Sequence, residues 1–331
     1  MRRHCFSLVA VLFISIAGFS QSYCIPNRFT KADYFKDSAI ECAESLVYGQ
    51  AKDWEGDKTE LDLTLFYPKR SVDLLKKRPL IILIHGGSFN GGNKLFFFNE
   101  AKLLAKRGFV TASINYRLGW LIDYQRTDTA YDQDFYRACQ DSKAAIRFLV
   151  HNAELYGIDT SEIFIGGISA GAIAAIADAY YTQADWNTDY PWIENKLGPN
   201  DNSSNTLSET YSIKGVISMW GDIRDTSRIT ANAARHIPLD IFHGTADKLI
   251  AYVKTDTINY PKIFTPAQGP YLIAQRYKHL GGCCELNTVI NGGHGEGFSD
   301  DTLAEKISAF CKSIFCGNCK SEEFSTTFIK K

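Results

Sequence analysis

Three residues of this chain stand where side-chain chemistry could be done: Ser169, Asp247 and His294. Ser169 is the centre of Gly167-Ile168-Ser169-Ala170-Gly171, a G-x-S-x-G pattern whose small flanking residues let a strand and a helix approach so closely that the serine backbone is strained and its Oγ exposed. The run Ile163 to Ile165 reads as a buried strand, Gly166 and Gly167 break it, and the Ala/Ile run that follows reads as a helix. A serine hydroxyl becomes a useful nucleophile only when a base takes its proton. His294 reads as that base, because Asn291-Gly292-Gly293-His294-Gly295-Glu296-Gly297-Phe298 surrounds it with glycines and leaves it no packing duty. Leu239 to His243 reads as a strand, and Asp247 follows just past its end in Gly244-Thr245-Ala246-Asp247, where sites in open α/β sheets gather. A carboxylate there would fix the imidazole tautomer and stabilise its charged form. Asp222, in Trp220-Gly221-Asp222 after an earlier strand, is the alternative acid. His151, His236 and His279 read as surface residues and His243 as buried and hydrogen-bonded.

These groups need a frame. Leu61, Leu63 and Leu65 alternate with Asp62, Thr64 and Phe66, the period of a half-buried strand, and Leu80 to Ile84 is a fully apolar run that reads as a central one. Directly after it, His85-Gly86-Gly87-Ser88-Phe89-Asn90-Gly91-Gly92 places glycines where backbone N–H groups can be turned toward a bound oxygen. A helix pattern from Phe97 to Arg107, a strand from Val110 to Asn115 and a long helix ending near Gly157 come next. Strand and helix alternate throughout, so the expected fold is α/β with a mainly parallel sheet. The last strand pattern is Asn287 to Ile290, and no internal repeat or second domain is evident.

Composition sets the class. The 331 residues are 45% hydrophobic and 22% charged with net charge −1, which allows a sizeable core and gives no electrostatic bias toward nucleic acid or anionic membrane. Arg2 and Arg3 precede an apolar run from Phe6 to Phe19, and Gly18-Phe19-Ser20 offers small residues for cleavage near Ser20-Gln21. Residues 1–20 therefore read as a signal peptide and 21–331 as one exported domain, secreted or periplasmic, with no stable membrane insertion. A lipid anchor at Cys24 is disfavoured by the bulky Tyr23 before it. Cys24, Cys42, Cys139, Cys283, Cys284, Cys311, Cys316 and Cys319 remain after cleavage, an even set suited to disulfides whose pairing spacing alone does not reveal. A zinc site built from Cys283, Cys284 and Cys316-Gly317-Asn318-Cys319 is the weaker reading, and Cys139 reads as buried.

Taken in order, His85-Gly86-Gly87, Asn115-Tyr116-Arg117-Leu118-Gly119, the helix beginning near Asp141 and Gly167-Ile168-Ser169-Ala170-Gly171 resemble the motifs of the α/β-hydrolase carboxylesterases, from about Leu61 to Phe315. The resemblance implies the α/β-hydrolase fold and a nucleophile, acid, histidine order that Ser169, Asp247 and His294 follow. It also implies an oxyanion hole from the N–H groups of Gly87, Ser88 and Ala170, with Ser88 standing where the family commonly has a third glycine. Ester hydrolysis through an acyl-enzyme would follow, with no cofactor and no metal. An aromatic and then Asn/Ser-rich insertion, about 180–211, reads as a lid or acyl-pocket wall, or as a surface loop. Small acyl or aryl esters suit aromatic walls; a polysaccharide acetyl or feruloyl esterase and a lipase are the alternatives within the class. Outside it stands an inactive hydrolase fold used for binding or adhesion, against which the intact serine, aspartate and histidine set argues.

Overall fold

The computed structural model describes residues 23–119, 128–255, 258–259, 262–263 and 266–329; the expected signal segment, Met1 to Ser20, lies outside them. Strands β1 (Ile40–Lys52), β2 (Lys58–Pro68), β3 (Arg78–Ile84), β4 (Val110–Ile114), β5 (Ile158–Ile168), β6 (Ile213–Met219), β7 (Leu239–Gly244), β8 (Cys284–Ile290) and β9 (Glu322–Thr327) form one sheet. Their spatial order is β1-β2-β4-β3-β5-β6-β7-β8-β9. The β1/β2 and β2/β4 pairs are antiparallel and every later neighbour is parallel.

All seven residues of β3 are buried, and their alternation explains why the strand needs no polar face. Leu80, Ile82 and Ile84 enter one core layer, against α2 (Asp128–His151), α3 (Ala170–Tyr180) and α6 (Pro270–Leu280). Ile81 and Leu83 enter the other, against α1 (Phe98–Arg107) and α7 (Asp300–Phe315). Each such side chain contributes about 2 kcal/mol of hydrophobic burial, and the sheet is thereby clamped on both faces. Between α3 and β6 lie α4 (Gln183–Asp189) and α5 (Ile193–Leu197). Because the chain runs from β3 out to β4 and returns to β5 on β3's other side, the strand order reverses at β3. That crevice, at the C-terminal ends of β3 and β5, is where open α/β sheets bind ligands.

Three expectations are corrected. Gly166 and Gly167 do not break β5, which runs through both to Ile168; they are close-approach positions. A Cβ on Gly166 would lie 2.8 Å from the Ile217 side chain, and one on Gly167 would lie 2.5 Å from the backbone of Gly171 and Ile84. Asp141 is not a helix start but sits in the middle of α2, where it forms an ion pair with Arg117 at 2.8 Å. β8 is not the last strand, since β9 adds to its outer side in parallel register. The aromatic part of the insertion is built into the body: Trp186 is fully buried and its ring lies 4.9 Å from that of Phe135, which stacks at 5.4 Å on Phe89. Its Asn/Ser-rich part is held by α2, through Arg147 to the Ser203 carbonyl at 2.7 Å and Gln140 to Ser203 Oγ at 2.8 Å.

The two ends of the described chain are fastened together. Cys24 is bonded to Cys316 and Cys283 to Cys319, while Cys42 is an exposed thiol and Cys139, Cys284 and Cys311 are buried thiols. Cys316 and Cys319 thus serve two different bridges, which precludes a four-thiolate cluster there. Beside the first bridge Tyr23, Phe29 and Phe315 pack ring to ring, and Arg28 holds Asp73 through paired 2.8 Å bonds.

Candidate active site

Ser169 caps the N-terminus of α3 with φ 55° and ψ −122°, a conformation that costs on the order of 1–3 kcal/mol and persists only when the surroundings impose it. The surroundings do so here. The Ser169 N–H donates to the Met219 carbonyl at 2.8 Å, and α3 crosses β3 so closely that a Cβ on Gly171 would lie 2.0 Å from the Ile84 carbonyl oxygen. A tight crossing forces the serine onto the outside of the turn, at the crevice where the strand order reverses.

The loop after β3 runs alongside. A Cβ on Gly86 would lie 3.2 Å from Ser169 Cβ, so the two backbones are in van der Waals reach. Gly87, Ser88 and Phe89 take φ values of 108°, 52° and 63°, three successive residues in the left-handed region that only a held loop sustains. The Gly87 carbonyl accepts from the N–H groups of Asn90 and Gly91, both at 3.0 Å, which turns the Ser88 N–H of the same peptide to the opposite side. Likewise the Gly86 carbonyl accepts from Tyr116 Oη at 3.4 Å and His85 Nδ1 at 2.7 Å, turning the Gly87 N–H away from them. Ala170 opens α3, so its N–H belongs to the first turn, which lacks intrahelical acceptors and carries the positive end of the helix dipole. The three expected donors therefore sit on two backbone segments that meet at Ser169.

Beneath the loop, His85 is buried, stacks on Tyr116 at 4.2 Å between ring centroids, and is pushed down to about 4 by burial. It is neutral at ordinary pH and donates from Nδ1, which makes it a brace for the loop. Tyr116 Oη also donates to the His85 carbonyl at 3.1 Å. Both residues stand in motifs that carry the family resemblance, His85-Gly86-Gly87 and Asn115-Tyr116-Arg117-Leu118-Gly119, but the sequence alone gives neither of them this bracing role.

His294 Nδ1 is 2.7 Å from Asp247 Oδ2. The carboxylate accepts, so Nδ1 carries the proton and Nε2 is left with its lone pair. Asp247 has four donors in all: Oδ1 accepts from the N–H groups of Leu249 at 2.8 Å and Ile250 at 3.0 Å, and Oδ2 also lies 3.2 Å from His243 Nε2. Burial alone would raise this carboxyl, but the bonds from His243 and His294 outweigh it and hold it well below the usual carboxylate range. His243 is buried as expected, and its Nε2 also lies 2.9 Å from the Ile250 carbonyl, so that nitrogen bears its proton. Its spacing of four residues from Asp247, across a strand end, is the sequence signal that was missed.

His151, His236 and His279 are exposed. Asp222, the alternative acid, is buried and pushed up to about 7, first by burial and then by the Asp247 charge, with Arg224 and His294 pulling the other way. It is near the imidazole, but the bond to Nδ1 belongs to Asp247. Among the described residues no group of three His, Cys, Asp or Glu side chains is placed to hold a metal, and no helix is long and apolar enough to cross a membrane.

The BD-FAE family model matches residues 63–237, just over half of the chain. Neuroligin-2 of Rattus norvegicus is 30% identical over 147 residues, 44% of this chain and 17% of that protein. Gut esterase 1 of Caenorhabditis elegans is 29% identical over 131 residues, 38% of this chain and 22% of that protein. The chain thus spans about a fifth of the length of these curated relatives. The propionate-bound structure of the esterase Est2 from Thermogutta terrifontis superposes with a TM-score of 0.57 at 19% identity, covering 87% of this chain and 98% of that one. At that identity the likeness speaks to the fold, which is the α/β-hydrolase fold.

Proposed function

The chain belongs to the BD-FAE family, and from that premise we propose that it is an exported serine esterase that hydrolyses small acyl or aryl carboxylic esters. The observation that carries the reading is the His294 to Asp247 bond of 2.7 Å on a carboxylate whose other oxygen is already satisfied. Such an acid has no other task left than to orient and charge-balance an imidazole. In this mechanism Ser169 Oγ attacks the ester carbonyl while His294 Nε2 takes its proton. The N–H groups of Gly87, Ser88 and Ala170 receive the oxyanion, the protonated imidazole hands its proton to the leaving alcohol, and an acyl-enzyme remains. Water, deprotonated by the same imidazole, then releases the acid.

The preference for short acyl groups rests on Phe89, Phe135 and Trp186, whose rings pack on one another behind the oxyanion loop, Phe89 stacked on Phe135 and Trp186 edge-on to it. Export rests on the signal-like segment of residues 1–20 and on the two bridges of the mature chain, 21–331. A panel of p-nitrophenyl esters of increasing acyl length, run beside a serine-reactive phosphonate, tests the reading. Fast turnover of the short esters and labelling of Ser169 are expected. A wild type that neither hydrolyses the panel nor takes the label would remove it.

A further inference from the structure

At the end of the sheet away from Ser169, where β5 and β6 begin, lies a cavity of about 740 Å³, within the size range of small-molecule sites. α2 contributes Lys143 and Arg147 to its wall, α3 contributes Asp178, and Tyr211 enters just ahead of β6. Asp178 lies two and a half turns along α3 from Ser169, so roughly 14 Å of helix axis separates the cavity from the nucleophile. Arg147 is already engaged by the chain: it donates to Asn205 at 3.2 Å and to the Ser203 carbonyl at 2.7 Å, and pairs with Asp201 at 3.1 Å. Lys214 is likewise paired with Glu162, and Glu209 with His151. Lys143 is different. It is only 9% exposed, and among the described residues no hydrogen bond or ion pair reaches its ammonium. Asp178 is also 9% exposed; Oδ2 accepts from Ser142 Oγ, while Oδ1 has no partner among the described residues. The hydroxyl of half-buried Tyr211 has none either.

Keeping a charge away from bulk water without a partner costs free energy, and here two groups of opposite sign line one cavity without bonding to each other. Together they narrow the occupant. A simple anion would meet the Asp178 carboxylate, a simple cation would meet the Lys143 ammonium, and an apolar molecule would leave both unpaired. Burial pushes Asp178 up to about 7, with Lys143 pulling the other way, so near neutral pH it stands as acid and as carboxylate in comparable amounts. An ammonium group on the ligand would suit only the carboxylate. A hydroxyl accepts from the acid or donates to the carboxylate, and it accepts from Lys143 and Tyr211 as well. A molecule carrying several hydroxyls therefore meets the whole set in either state of Asp178. Ser208 and Ser212 add further hydroxyl partners to the same lining.

We infer that this cavity is a saccharide-binding site separate from the crevice, in which the hydroxyls of one sugar bridge Lys143, Asp178 and Tyr211. The inference is independent of the esterase reading. Saturation-transfer difference NMR of the full chain with maltose, cellobiose, lactose and sucrose, each titrated to about 20 mM, should give saturable transfer from at least one of them. Lys143→Met keeps the aliphatic stem and removes the ammonium. It should weaken that binding at least about tenfold, while Tm stays level or rises because an uncompensated buried charge is gone. Tyr211→Phe keeps the ring, and should weaken the same binding about threefold or more. If Lys143→Met fails to fold, Tyr211→Phe decides alone, since it removes a single oxygen, and undiminished binding by it would then overturn the site. Absence of transfer from all four sugars overturns the proposal, as does transfer that Lys143→Met leaves untouched. Saturable binding of acetate or glycine that Lys143→Met removes, with no sugar bound, would make the cavity an anion or zwitterion site and overturn it too.

Discussion

At the scale of single residues, the reading of the site turns on Ser169 and on which acid serves His294. Ser169→Ala should lower ester turnover by about 10⁴-fold or more, since triad members act as a unit, and abolish phosphonate labelling. Stability should be unchanged or slightly improved by partial relief of crowding at the crossing. An alanine variant with near-normal turnover would end the mechanism. Asp247→Asn should cost about 10⁴-fold as well, because the amide can hold the wrong tautomer. Asp222→Asn should leave kcat within a few fold, and steady-state kinetics on one p-nitrophenyl ester separates the two. If Asp222→Asn were the crippling change, Asp247 would be a structural group and the acid assignment would pass to its neighbour. Ser169, Asp247 and His294 were legible because glycines and strand ends advertise exposed, unpacked side chains. The brace of His85 by Tyr116 was not, because its two members are distant in sequence: Tyr116 reaches His85 across 31 positions.

Among the elements, the crossing of α3 over β3 is the one that makes a nucleophile of Ser169. Gly171→Ala should cost at least about 3 kcal/mol, because a Cβ 2.0 Å from the Ile84 carbonyl forces backbone to move. Urea unfolding should show it directly, and a neutral result would mean that the crossing is looser than its distances. Alternation along Leu61 to Leu65 and the apolar run Leu80 to Ile84 made β2 and β3 readable in sequence. Gly166 and Gly167 misled for a physical reason: glycine marks both a chain that stops and a chain that something else must touch, and composition does not distinguish the two. β9 escaped notice because six exposed residues on an edge strand carry no alternation at all. The resemblance sets a helix start near Asp141, whereas the residue lies inside α2 and pairs with Arg117 from another segment of chain, a pairing that only folding reveals.

Across the whole molecule, burial of acids sets a pH dependence. Glu100, Asp178, Asp222 and Glu285 are each pushed up to about 7, in every case first by burial. Their unfolded values lie near about 4, so between roughly pH 4 and pH 7 the folded chain binds more protons than the unfolded one. Stability must then fall as pH rises through that window. Asp247 runs the other way, but its held charge matters only below the usual carboxylate range. Thermal unfolding should therefore give a higher Tm at pH 5 than at pH 8, and Asp178→Asn should narrow the gap by raising Tm at pH 8. A Tm that climbs with pH across this range would contradict the burial of these groups. Thiol counting on exported material should find two bridges and only Cys42 reactive before denaturation.

The Cys24 to Cys316 bridge has a mechanical meaning. Its two Cα atoms lie 4.9 Å apart while 292 positions separate them along the chain. A load applied outside the bridge passes from one cysteine to the other, so of the sheet it can strip only β9, which lies beyond Cys316, and it bypasses the other strands, the helices and the crevice. Pulled under oxidising conditions, the protein should lengthen by little more than β9 and the short tails. Once the bridge is reduced, the same pull must peel the sheet from its outer strands, and the chain between those cysteines should pay out on the order of 1,000 Å of contour length, at about 3.4 Å per residue. Force spectroscopy with and without a reductant would record that difference on a single molecule.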